Sequence, residues 1–71
     1  MYPVHVDPDI LGGTPCFAGT RVPVRTLFDV LEKGHTLDDF LTGFPTVARE
    51  QALAVLELAK DKVLATPAPA A

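Results

Sequence analysis

Cys16, His5 and His35 are the side chains of this 71-residue sequence with intrinsic nucleophilic or acid–base reactivity, and Asp38 with Asp39 forms an adjacent carboxylate pair. Nucleophilic catalysis needs a thiol or hydroxyl held beside a base. The chain has no serine, and nothing in the spacing orients His5 toward Cys16. Cys16 therefore reads as a small buried hydrophobe, and His35, directly after Gly34, as a solvated turn residue. No CxxC, HxxxH or HExxH spacing places two metal ligands on one element. Adjacent aspartates point apart on a helix, and a helix N-terminus explains Asp38 and Asp39 without a cation. The Gly12-Gly13 turn lacks the Lys-Ser/Thr or GxGxxG continuation of a phosphate cradle. The expectation is a protein that is not an enzyme, with no metal, cofactor or small-molecule substrate.

Recognition is the other chemistry on offer. Arg49 and Gln51 stand near the start of a long helical segment and are the residue types that pair with guanine and adenine edges, while Thr46 is placed to meet a phosphate. The same three are also ordinary solvated residues at a helix start. Arg21, in Gly19-Thr20-Arg21-Val22-Pro23, has a fork that fits a carboxylate such as Asp7 or Asp9 and would hold the N-terminal loop to the helices. A phosphate contact is the alternative for Arg21.

These residues must be carried by short strands and three helices. Residues 2–22 are dense in glycine and proline, which confines regular structure to short pieces; strands are expected at about 4–6 and 15–22, joined by an irregular Gly12-Gly13 loop. A first helix over about 23–33 follows from Pro23 at its first position, from Val24, Leu27, Phe28 and Leu31 on one stripe, and from Gly34 as a left-handed stop. A second, about 36–43, is capped by Thr36 with Asp39, buries Leu37, Phe40, Leu41 and Phe44, and is stopped by Gly43 and Pro45. A third runs over about 47–64. Its apolar surface is wide: Ala52, Leu56, Ala59 and Val63 make one stripe, and Leu53, Val55, Leu58 and Leu64 spread beyond it. The excess either covers the strands of the same chain or meets a partner, through a face including Leu53, Glu57, Leu58 and Asp61. Residues 66–71, a Pro/Ala run, are expected to be a disordered tail.

The balance of 48% hydrophobic and 21% charged residues is too apolar for disorder, and no run approaches the ~20 apolar residues of a membrane span. Residues 1–65 form one domain. A domain this small buries only about 60% of its unfolded surface and usually needs a disulfide, a metal or a partner. A single cysteine excludes an intrachain disulfide and fits a cytoplasmic setting, so association, as a homodimer or with another protein, is expected. The net charge of −3 opposes nucleic-acid binding by bulk electrostatics alone.

Asp7-Pro8-Asp9-Ile10-Leu11-Gly12-Gly13-Thr14-Pro15, then Gly19-Thr20-Arg21-Val22-Pro23-Val24, Phe40-Leu41, Phe44-Pro45 and Glu50-Gln51, closely resembles the DUF433 family of small prokaryotic proteins over roughly residues 4–60. Asp7, Gly13, Pro15, Gly19, Thr20, Arg21 and Pro23 make up its structural motif. The resemblance implies a helix-turn-helix-like domain preceded by short strands. It also implies an antitoxin, encoded beside a toxin resembling PIN-type ribonucleases. Two departures stand out. Ala48 occupies the place where the family usually opens the third helix with Ser or Thr, a loss of about 0.5–2 kcal/mol of capping that leaves Thr46 as the replacement. Leu58 stands where the family often has an aromatic ring.

The combined expectation is a mainly α, three-helix domain with a small β element, acting as the antitoxin of a type II toxin–antitoxin pair by binding a PIN-like toxin, with possible autorepression through operator DNA. The rivals are a stand-alone homodimeric DNA-binding regulator and a non-catalytic oligomerisation module.

Overall fold

Residues 2–65 are described by the structure, a computed structural model. They form β1 (Val4–His5), β2 (Cys16–Phe17), α1 (Val24–Glu32), α2 (Leu37–Gly43) and α3 (Arg49–Ala65), with one 3₁₀ turn at Leu11–Gly13 between the strands. The mainly helical architecture with a small N-terminal β element is the one expected. The 66–71 tail lies outside the described residues.

The β element differs in detail. β1 and β2 pair antiparallel, Val4 opposite Phe17 and His5 opposite Cys16. The expected strand over 15–22 is broken at residues 18–21 by a turn, after which the chain doubles back so that Pro23 bridges Cys16 and the Phe17 amide donates to the Val22 carbonyl at 3.0 Å. Thr20 makes the turn: its hydroxyl donates to the Phe17 carbonyl at 2.8 Å and accepts from the Val22 amide at 3.0 Å. This local side-chain bonding competes with an extended ladder and wins. The 15–17 segment is thus gripped on both sides. Pro23, held extended by that bridge (φ −64°, ψ 137°), is the residue before α1 rather than its first helical one.

The helices keep their expected order. Gly34 takes φ 90° after α1, a left-handed stop that a Cβ would strain. Thr36 caps α2 reciprocally: its hydroxyl accepts from the Asp39 amide, and the Asp39 carboxylate accepts from the Thr36 amide. α3 begins at Arg49, not at 47 or 48, because Val47 is drawn into the core. Thr46 does not replace the missing cap. The Gln51 side chain supplies the other half of a capping box, its Oε1 accepting from the Ala48 amide at 3.0 Å, while the hydroxyl half is absent.

The core gathers one or two residues from each part: Phe17, Leu27, Phe40, Val47, Ala52 and Val55. Phe40 lies between Phe17, with centroids 5.8 Å apart, and Phe44, at 5.1 Å. Cys16 is fully buried, its thiol donating to the Thr14 carbonyl. α3 is only half used by this core. Val63, placed on its buried stripe by periodicity, is 69% exposed, because the helix outruns the domain after Leu56.

Phe40→Ala is expected to cost roughly 3–5 kcal/mol, enough to leave so small a domain largely unfolded by circular dichroism at 25 °C. The Thr36 backbone and side-chain hydrogen bonds, in that order, hold the Asp39 carboxyl below its usual range, with His35 adding a smaller pull. Its contribution to stability is complete above the ordinary aspartate range and is lost as pH falls through the lowered value. Asp39→Asn should therefore flatten the acid limb of a thermal-melt series while leaving neutral-to-alkaline behaviour unchanged in shape.

Candidate functional site

The break between α2 and α3, residues 44–48, turns the chain tightly and sets the start of α3 beside α2. Thr46, Arg49 and Gln51 are brought to this corner, but in different states. Thr46 is exposed and makes no hydrogen bond among the described residues. Arg49 reaches back to Asp38 in an exposed ion pair. Gln51 is committed at both ends, since Nε2 donates to the Ala18 carbonyl at 2.8 Å while Oε1 takes the Ala48 amide. It ties the start of α3 to the β2 turn, 33 residues away in sequence. A base edge would have to displace two hydrogen bonds to be read by Gln51.

Leu53, Glu57, Leu58 and Asp61 lie on one solvent-facing arc of α3 spanning about 140°, counting 100° per residue. Leu53 is 49% and Leu58 39% exposed, and the overhanging end adds Val63 and Leu64, the latter 70% exposed. Glu57 meets Lys60 at 2.9 Å, one turn along, and this contact raises the Lys60 pKa. The pair is solvated on both sides and leaves the apolar positions uncovered.

A second feature escapes sequence reasoning. The β1 edge, the 19–22 turn and Thr46 surround an open cleft of about 620 Å³, lined by His5, Ile10, Gly19, Thr20, Arg21, Val22 and Thr46. Four residues of the structural motif or the helix-three corner, Gly19, Thr20, Arg21 and Thr46, thus share one wall system. The Gly19 amide donates to His5 Nδ1 at 3.2 Å. In the neutral ring this puts the proton on Nε2, which is buried without a hydrogen-bond partner. An orphaned donor of this kind costs about 1–3 kcal/mol. Arg21 does not clamp Asp7 or Asp9. It is exposed and forms no ion pair among the described residues, while the Asp7 carboxylate is taken by the Asp9 amide at 2.9 Å. Periodicity carries no signal for this cleft because its residues come from a strand, a loop, a turn and a helix junction.

In the loop between the strands, Leu11 adopts φ 51° ahead of Gly12 at 67° and Gly13 at 90°. A leucine there is strained. The turn is held by the Thr14 amide and hydroxyl, both donating to the Leu11 carbonyl, and leaves the Leu11 side chain more than half exposed.

Residues 4–59 match the family described as "Protein of unknown function (DUF433)". The chain belongs to the DUF433 family. Among its relatives, the uncharacterized protein y4eO of Sinorhizobium fredii (strain NBRC 101917 / NGR234) is 43% identical over 48 residues. That match takes in 68% of this chain but 22% of y4eO, so the chain spans about a fifth of this curated relative. The crystal structure of a DUF433 member protein from Anabaena variabilis ATCC 29413 superimposes with a TM-score of 0.74 at 24% identity, covering 86% of this chain and 60% of that one. At that identity the likeness is one of fold. The DUF433 motif residues are therefore positioned here by a fold seen in a second member, with Gly19 and Thr20 building the turn and Arg21 left facing the cleft.

Gln51→Ala strips two polar groups of their partner and is expected to lower stability by about 1–3 kcal/mol in urea titration. Arg49→Ala, which breaks an exposed pair, should cost less than about 1 kcal/mol in the same measurement.

Proposed function

We propose that this DUF433 chain is the antitoxin of a type II toxin–antitoxin pair, neutralising a PIN-like ribonuclease by direct protein binding. The observation that supports this reading is the overhang of α3. A helix end of this length has little stability of its own in water, yet it carries Leu53, Leu58, Val63 and Leu64 uncovered. A covering partner turns that exposed apolar surface into buried surface. The chain's net charge of −3 suits the basic cleft that an RNA-cleaving enzyme needs. The single thiol, Cys16, fits work in the cytoplasm, where thiols stay reduced. A homodimer using the same helix in an isologous contact is compatible with this assignment.

Operator binding is a secondary element of the proposal. In a helix-turn-helix the start of the second helix reads base edges, and at that start Arg49 is paired with Asp38 and Gln51 is fully bonded. Thr46 is the one free polar group of the three, which favours protein binding over a stand-alone DNA-binding regulator.

The test is recovery of the tagged full chain at native expression level from its own host, with partners identified and counted by mass spectrometry. A small basic nuclease-like protein in fixed stoichiometry is expected, and Leu58→Asp combined with Glu57→Lys and Asp61→Lys should abolish its recovery while thermal melting stays cooperative. Recovery of the chain alone overturns the antitoxin reading in favour of a self-assembling module. Unchanged recovery with the triple variant removes α3 as the surface.

A further inference from the structure

The cleft beside His5 holds polar groups that neither the fold nor a docking surface on α3 employs. We propose that it binds a small molecule carrying one carboxylate on an apolar chain, with Arg21 pairing the carboxylate. Arg21 is the one cation among the lining residues, and its guanidinium has no intrachain partner among the described residues. Its planar fork matches a carboxylate through two parallel hydrogen bonds. The Thr46 hydroxyl is likewise uncommitted, whereas that of Thr20 is spent on its own turn. His5 contributes part of its ring to the lining, with Nδ1 taken by the Gly19 amide and Nε2 closed to solvent.

The rest of the cleft is apolar. Ile10 and Val22 form its walls, and Gly19 leaves open the space that a Cβ would enter, with no other atom within 4 Å. The volume of about 620 Å³ lies within the range of about 300–1,000 Å³ typical of small-ligand pockets. Charge decides between the anions. A single guanidinium fork matches a single carboxylate in charge and in its two parallel hydrogen bonds, whereas a phosphate monoester carries up to two negative charges against one cation. The aliphatic part of the ligand takes the Ile10–Val22 side, away from solvent.

Octanoate is the probe, titrated into the ¹⁵N-labelled full chain and followed by NMR, with 1-octanol and octyl phosphate as comparators. The expected result is saturable shifts confined to the amides of His5, residues 19–22 and the Thr46 region, with 1-octanol and octyl phosphate each about tenfold weaker or worse. Arg21→Gln, a change at an exposed side chain that the fold does not use, should weaken octanoate by about tenfold or more at unchanged melting temperature. Absence of saturable shifts at millimolar octanoate overturns the proposal, as does 1-octanol binding equally well, which marks a purely apolar crevice. Octyl phosphate binding as tightly overturns the carboxylate class, and undiminished binding to Arg21→Gln overturns the role of that residue. The comparators need no variant, so the test holds even if Arg21→Gln fails to fold. This outcome is independent of partner capture through α3, which a cleft variant leaves intact.

Discussion

The contact between Phe17 and Phe40 is the constraint on which the domain hangs. Both rings are essentially closed to solvent, and each belongs to an element too short to persist alone. β2 has two residues and α2 seven. Neither a two-residue strand nor a two-turn helix is stable in water, so each exists because the other buries its ring. Phe44 extends the stack at the end of α2, and Leu27, Val47, Ala52 and Val55 close around it. Burial of large side chains, rather than backbone propensity, holds the β element and the helices in one body.

Polar ties then set what the core leaves loose. Gln51 joins the start of α3 to the β2 turn through the Ala18 carbonyl and takes up the Ala48 amide at the helix start. Thr20 folds its own turn, and the Gly19 amide beside it fixes the His5 tautomer. The bonds of Gln51 to Ala18 and of Gly19 to His5 link segments remote in sequence. The family's Gly-Thr-Arg motif is thereby divided by role: the first two residues shape the backbone, and the arginine remains available to a ligand.

Two surfaces result, of different character. The outer arc of α3 is broad, apolar and edged by solvated charges, the form of a protein interface. The cleft is open and sets Arg21 and Thr46 beside the apolar Ile10 and Val22, the mix of a small-molecule site. They sit on different elements, so occupation of one need not block the other.

Helix order and the family were legible in the residues alone. The i, i+3, i+4, i+7 spacing of α1, the Thr36 and Asp39 cap and the Gly34 stop are local rules, satisfied within one or two turns of chain, and they survive folding unchanged. The buried thiol of Cys16 and the exposure of Leu53, Leu58 and Leu64 on α3 were readable from composition set against chain length, whereas Val55, counted with those leucines, lies in the core. What required the folded chain was every pairing across distance. The double commitment of Gln51, the freedom of Arg21 and the place where α3 leaves the core depend on which remote groups the folded chain holds within reach of one another. Periodicity describes a helix face but not how far the core extends along it, so Val63, inward by pattern, stands in solvent. The cleft, assembled from four separate segments, is a product of tertiary geometry alone.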